Sequence, residues 1–247
     1  MKYLLLLLLT TFIYSQDISE KTEPFTKVDI DLNANTFIEF GETHSIKITG
    51  KSKLLRRIEY NINNGKLTIE MKRERGFFSF FNKYDERAVK IVIIMEKMEF
   101  LKLNGAGKTD IDEFDADKVR IVINGANDLI SGGRIDFLDL DIHGASETEF
   151  TGLICEEFTL DIKGAGDLKL SGRTNLFEID VKGAGDVNGF NFITTILDAK
   201  IMGAGDIKLT VTEEIDASIF GAGNITYKGN PARVKDKIFG AGEIEKY

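Results

Sequence analysis

Residues 160–172 read LDIKGAGDLKLSG. Leu160, Ile162, Leu168 and Leu170 alternate with polar neighbours, the period-two pattern of a strand with one buried face. Gly164-Ala165-Gly166 interrupts that strand without changing its phase, and Asp167 follows at once. A Gly-rich break before a carboxylate is open to three readings: a phosphate cradle, a calcium turn or a structural bend.

The rest of the chain narrows the choice, because Gly-Ala recurs with its first glycine at 105, 125, 144, 164, 183, 203, 221 and 240. The spacing is 18–20 residues throughout. Two residues before that glycine stand Leu103, Ile123, Ile142, Ile162, Val181, Ile201, Ile219 and Ile238, and four after it the same phase continues through Leu129, Leu168, Val187, Ile207, Ile225 and Ile244. A second break follows about eight residues on, at Gly133, Gly152, Gly172 and Gly229. Each unit thus holds short strands and two bends. That is one coil of a repeat whose units bury their apolar faces only by stacking.

The expected fold is all-β, a right-handed parallel β-helix of about eight 18–20-residue Gly-Ala-Gly coils. At about 4.8 Å per coil the rod is roughly 38 Å long. A propeller blade needs about twice this period. Residues 25–97 carry strand chemistry without the glycine motif, at Lys27–Leu32, Thr36–Phe40, Ser45–Thr49, Lys66–Met71 and Val89–Met95, with Asn63-Asn64-Gly65 as a hairpin turn. This N-terminal region either caps the solenoid or forms its first coils.

Met1-Lys2 and the apolar run Tyr3 to Ile13 match a secretory signal, cleaved near Ser15. The expected organisation is therefore a signal peptide at 1–15 and a single β domain at 16–247, with the N-terminal region at 25–97 and the repeats at 98–247. No later stretch reaches the length of a membrane helix. Acidic residues outnumber basic ones, 40 to 32, which argues against nucleic acid as a partner. The imbalance belongs to the repeats: residues 17–103 hold 16 basic and 14 acidic residues, residues 104–247 hold 15 and 26. Cys155 is the single cysteine, so no intramolecular disulfide forms.

Three constellations are candidates for chemistry. The third residue after the first glycine is Asp128, Glu147, Asp167, Asp186 and Asp206 in five successive units, an acidic column that a calcium ion could bridge. The alternative is a turn acceptor. A glycine required in eight coils points to backbone geometry rather than eight ligand sites, and no Gly-Lys-Ser/Thr ending supports a phosphate cradle. Phe77, Phe78, Phe80 and Phe81 lie between charged runs, either as a plug or as an exposed contact. The outward column one before the glycine turns apolar at Met202, Phe220 and Phe239, and is either covered by another segment or used as a subunit contact. With His44 and His143 as the only histidines and no nucleophile motif, no catalytic set is singled out.

IKGAGDL (162–168), VKGAGDV (181–187) and IMGAGDI (201–207), behind an exported N-terminus, resemble the bacterial family of auto-transporter adhesins with a head GIN domain. The stretch from Phe25 through Leu103 is similar to that family's lead-in, and the signal ending Tyr-Ser-Gln is similar to those of Bacteroidetes. The resemblance implies a β-helical fold, export to the periplasm, the outer-membrane surface or the medium, and an adhesion role. The expected function is that of a non-enzymatic, cofactor-free solenoid that binds an envelope glycan or a protein, possible as a homo-oligomer. The alternatives are a polysaccharide-active β-helix enzyme and a purely architectural envelope protein.

Overall fold

The computed structural model describes residues 15–72 and 89–247. Its elements are β1 (Ser15–Lys21), β2 (Lys27–Asp31), β3 (Ala34–Phe40), β4 (Ser45–Lys51), α1 (Ser52–Leu55), β5 (Ile58–Asn63), β6 (Lys66–Met71), β7 (Lys90–Met95) and β8 (Phe100–Ile111). They continue as β9 (Phe114–Gly144), β10 (Glu147–Gly164), β11 (Asp167–Gly183), β12 (Val187–Gly203), β13 (Asp206–Gly221), β14 (Asn224–Lys228), β15 (Arg233–Gly240) and β16 (Glu243–Lys246). All sixteen strands belong to one hydrogen-bonded sheet.

From β8 onward every pairing is parallel, and each Gly-Ala stacks on the next: Gly144 on Gly164, Gly164 on Gly183, Gly183 on Gly203 and Gly203 on Gly221. The result is a parallel β-solenoid of about seven turns, in keeping with the sequence repeat. The Gly-Ala glycine is one of the points of close approach between coils. Gly164 has φ +132°, and a Cβ there would lie 2.3 Å from the Gly144 carbonyl oxygen. A side chain is excluded both by conformation and by space. The carbonyl it approaches is already used, since Ala165 donates its N–H to Gly144 O at 2.9 Å and Ala184 to Gly164 O at 2.9 Å.

Inside the coils the alternating residues form columns. Val119, Leu138, Phe158, Phe177, Leu197 and Ile215 are at most 2% exposed, and Phe158 stacks on Phe177 with ring centroids 4.5 Å apart and an 11° interplanar angle. Cys155 is a buried free thiol whose pKa burial pushes up to about 12. It is a small core residue and not a reactive one. Buried polar residues are most frequent in the earlier coils, at Thr36, Thr109, Asn127, Ser131, Ser146 and Thr148, with Thr174 and Thr194 further along; Thr109 Oγ1 donates to Asn127 Oδ1 at 2.9 Å.

The N-terminal region both begins and caps the solenoid. β2 and β3 stack in parallel on β8, and β6 and β7 stack in parallel on β2 and β3. Outside these, β4, β5 and β1 pair antiparallel and close the end. The hairpin at Asn64-Gly65 has both residues at positive φ, +51° and +70°, the geometry of a two-residue primed turn. At the other end β15 pairs with β13 and β16 with β14, and among the described residues neither has a strand on its outer edge. Val234 and Ile238, which continue core columns, are 40% and 39% exposed there.

Candidate functional site

The acidic column forms, and its carboxylates face the next coil's backbone. Asp128 Oδ1 accepts the Glu147 N–H at 2.9 Å, Asp167 Oδ1 the Asp186 N–H at 3.3 Å, Asp186 Oδ1 the Asp206 N–H at 2.8 Å, and Asp206 Oδ1 the Asn224 N–H at 3.0 Å. Glu147, one methylene longer, turns away to pair with Lys169. The Asp167 N–H then bonds instead to Ser146 O at 2.8 Å. In the N-terminal coil Asn35 Oδ1 performs the same task for the Lys108 N–H at 3.2 Å. A neutral amide and a carboxylate are thus interchangeable at this position, so the requirement is for a short side-chain acceptor and not for charge. Among the described residues no group of three or more His, Cys, Asp or Glu side chains is arranged to hold a metal ion.

The bend is no phosphate cradle either. Its alanine N–H groups are consumed by the preceding coil's glycine carbonyls at 2.8–3.0 Å, and an anion nest needs such donors free.

The broad outward surface before the bend offers more chemistry. Each coil contributes four solvent-side residues to it, seven, five, three and one before the first glycine; in the last coil these are Arg233, Lys235, Lys237 and Phe239. Over the middle coils this surface is acidic, with Asp139, Asp141, Asp161, Glu178 and Asp180 in register. Arg120 reaches Asp141 at 2.6 Å and Asp139 at 3.5 Å. Lys182 reaches Asp180 at 2.6 Å and Asp161 at 3.4 Å. Burial pushes Asp161 up, but the Lys163 hydrogen bond and the Lys182 charge outweigh it and hold the carboxyl below its ordinary range. Asp139 and Asp198 are held above theirs, in both cases chiefly by burial; Arg120 opposes the rise at Asp139, and Asp216 adds to it at Asp198.

At the C-terminal end the same surface turns aromatic and basic. Phe220 and Phe239 stack with centroids 5.0 Å apart and planes 9° apart, yet they are 44% and 62% exposed. Met202 continues their column in register with Phe220, and the Lys200 ammonium lies 5.9 Å from the Phe220 ring centroid. No described segment covers this group. A second aromatic cluster, at Phe190, Lys228 and Tyr247, was not singled out from the sequence. Phe190 and Tyr247 are 5.1 Å apart, and Lys228 lies 4.3 Å and 4.7 Å from their centroids. All three stand seven residues after a Gly-Ala glycine, so extending the column alignment would have found them. Phe77, Phe78, Phe80 and Phe81 lie outside the described residues.

Residues 24–231 match the family described as putative auto-transporter adhesin, head GIN domain. The chain belongs to this family. No curated protein matches it. Solved structures do: a putative adhesin from Parabacteroides distasonis, 19% identical, TM-score 0.83, covering 95% of this chain and 97% of that one; and a putative lipid binding protein from the same species, 20% identical, TM-score 0.87, covering 94% and 96%. A putative adhesin from Parabacteroides merdae is 21% identical, TM-score 0.83, covering 94% and 96%. At these identities the likeness is one of fold. Among the described residues no helix of this head GIN domain protein is long and apolar enough to cross a membrane.

Proposed function

We propose that this protein is exported and acts as a non-enzymatic, adhesin-like solenoid of the cell envelope, holding its partner on the C-terminal end of its broad outward face. The observation that carries this is the exposed Phe220–Phe239 stack. Two phenyl rings left half in water on a charged surface contribute little to folding and offer a rigid apolar anchor. The Lys200 ammonium lies 5.9 Å from the Phe220 ring and Lys237 stands two residues before Phe239 on the same outward face, while Lys235 pairs with Asp216, so the partner is an envelope glycan or a protein that combines apolar and anionic groups. Membership of the adhesin family and the N-terminal export signal agree with this reading. The segment Phe77–Phe81 is a second proposed contact.

The test is a binding isotherm of the mature chain on isolated cell envelopes. Phe220→Ala with Phe239→Ala is expected to weaken binding about tenfold or more while leaving the fold intact. Unchanged binding by a folded double variant would remove the face from the account. Turnover of an acidic polysaccharide would replace the binding reading with the enzymatic one; the groove between Glu99, Asp115, Asp117, Lys118 and Arg134 is where its carboxylates would be sought.

A further inference from the structure

We propose that this protein carries a second binding site, on the other side of the Gly-Ala bend from the Phe220–Phe239 face, and that it takes a neutral glycan strand laid along the rod. The site is built by the bulge of one coil. Where the two preceding coils have Gly152 and Gly172 at the second bend, the coil of Gly183 reads Asn188-Gly189-Phe190-Asn191-Phe192. Against β11, Lys169 and Ser171 pair with Asn188 and Asn191, so β12 holds an extra residue. Against β13, Gly189 pairs with Leu209 and Ile193 with Thr210, so Phe190, Asn191 and Phe192 are all extra. A bulge breaks the alternation of faces. Phe190 and Asn191 therefore both stand outside, while Phe192 turns in, 0% exposed and edge-on to Phe177 with centroids 5.6 Å apart. The buried ring fixes the bulge, and the two outer side chains are presented on a rigid ledge.

Toward the N-terminal end the ledge walls a groove of about 380 Å³ lined by Glu149, Thr151, Lys169, Ser171, Asn188 and Asn191. Asn188 and Asn191 are exposed, and among the described residues neither amide has a partner. Toward the C-terminal end Phe190 meets Tyr247 with the rings tilted by 57°, and Lys228 lies over both. Tyr247 is nonetheless 76% exposed. From Thr151 to Tyr247 the site runs about 24 Å, five coil steps of about 4.8 Å.

The chemistry selects the occupant. A primary amide is donor and acceptor at once, which matches the hydroxyls of a sugar, each of them also both. A ring face is negative and meets the polarised C–H groups on the flat side of a sugar ring. The Lys228 ammonium holds the two rings in place before any ligand arrives. Strands β10, β11 and β12 each have a parallel neighbour on both sides, so a peptide cannot add there as a strand. Over the columns three, five and seven after the glycine, from the coil of Gly144 to that of Gly240, three lysines stand among seven carboxylates, and an anionic polymer is repelled. Four of the seven are already committed, Glu147 to Lys169 and Asp167, Asp186 and Asp206 to backbone N–H groups. A polycation therefore gains little either, and the uncharged polymer remains.

The experiment is electrophoresis of the mature chain in native gels cast with laminarin, xyloglucan, galactomannan or pullulan, with polygalacturonate as the charged control. Retardation by at least one of the neutral polysaccharides is expected, and none by polygalacturonate. Tyr247→Ala, and separately Asn188→Ala with Asn191→Ala, raise the dissociation constant about tenfold or more; all three positions are exposed, so the fold is kept. Phe220→Ala with Phe239→Ala leaves the retardation unchanged. A chain that no neutral polysaccharide retards, that polygalacturonate alone retards, or whose retardation survives both sets of substitutions overturns the proposal. Retardation lost in the Phe220 and Phe239 variant puts the glycan on the outward face and overturns it too. A chain that fails in the gels but binds envelopes through Phe220 and Phe239 sinks this site alone and leaves the function proposed above standing.

Discussion

Two pairs of phenylalanines in this molecule make almost the same stack. Phe158 and Phe177 are 4.5 Å apart at 11°, Phe220 and Phe239 are 5.0 Å apart at 9°. Parallel in-register stacking produces this geometry wherever two rings fall in one column. The first pair lies on the inward phase and is 0% exposed, the second on the outward phase and 44% and 62% exposed. The backbone supplies the stack, and the phase within the strand decides whether it stabilises the fold or awaits a partner.

The comparison is broken most directly from the inside. Phe177→Ala leaves a cavity between Phe158 and Phe192, and thermal or urea unfolding is expected to show a loss of about 3–5 kcal/mol. If the loss is under about 1 kcal/mol, the inner stack is not the packed core described. Next in size is Gly183→Ala, at φ +141° with its Cβ only 2.1 Å from Gly164 O. It is expected to cost about 1–3 kcal/mol by forcing two coils apart. The amide acceptor follows: Asp186→Ala frees the Asp206 N–H and costs about 1 kcal/mol, while Asp186→Asn retains most of the stability, because Asn35 already performs this task. For the same reason chelator should leave the melting midpoint unchanged; a clear fall would restore calcium to the column of Asp128, Glu147, Asp167, Asp186 and Asp206. Smallest is Phe239→Ala, which on an exposed site is expected to alter stability by no more than about 0.5 kcal/mol.

The outward face also carries a pH signature. Asp161 has its folded pKa lowered by Lys163 and Lys182, so its contribution to stability is full above the unfolded value and is lost as pH falls through the folded one. Asp198 is raised by burial and by Asp216, so it opposes folding when ionised, and protonation relieves that. At neutral pH Asp198→Asn is accordingly expected to raise the melting temperature slightly and Asp161→Asn to lower it, each effect small because both groups are partly solvated.

The fold was legible because the repeat is written in every coil. The spacing of Gly-Ala and the phase of Leu160, Ile162, Leu168 and Leu170 fix strand, bend and stacking together. Strands β2, β3, β4, β6 and β7 agree with the sequence reading to within two residues at their ends. β1 and β5 were missed. Their partners are β4, about thirty residues away, and β6, across the Asn64-Gly65 turn, and β5 alternates too weakly to announce itself with a single fully buried residue, Ile58. The second bend is irregular: the coils after Gly183 and Gly203 lack its glycine, and the register shifts near this bend in every pairing from β9 to β13, with or without that glycine. The role of Asp167 and Asp186 was half legible. A turn acceptor was expected, but the N–H it serves lies one coil on, about twenty residues away, beyond any local window. At the candidate face the sequence revealed the column of Met202, Phe220 and Phe239, but not the ion pairs that join neighbouring coils on it, such as Lys235 with Asp216 and Arg120 with Asp141, whose partners lie about twenty residues apart.

The chain contains no tryptophan, so a single one reports its own surroundings without background. Phe239→Trp, compared with Phe177→Trp, tests the contact surface most directly by its emission in dilute solution and then with cell envelopes. The account predicts a buried, short-wavelength emission for position 177 throughout, and for position 239 a water-like emission that shifts to shorter wavelength as the face is covered. Emission from position 239 that is already short-wavelength in dilute solution, or that stays water-like under every condition, would contradict it.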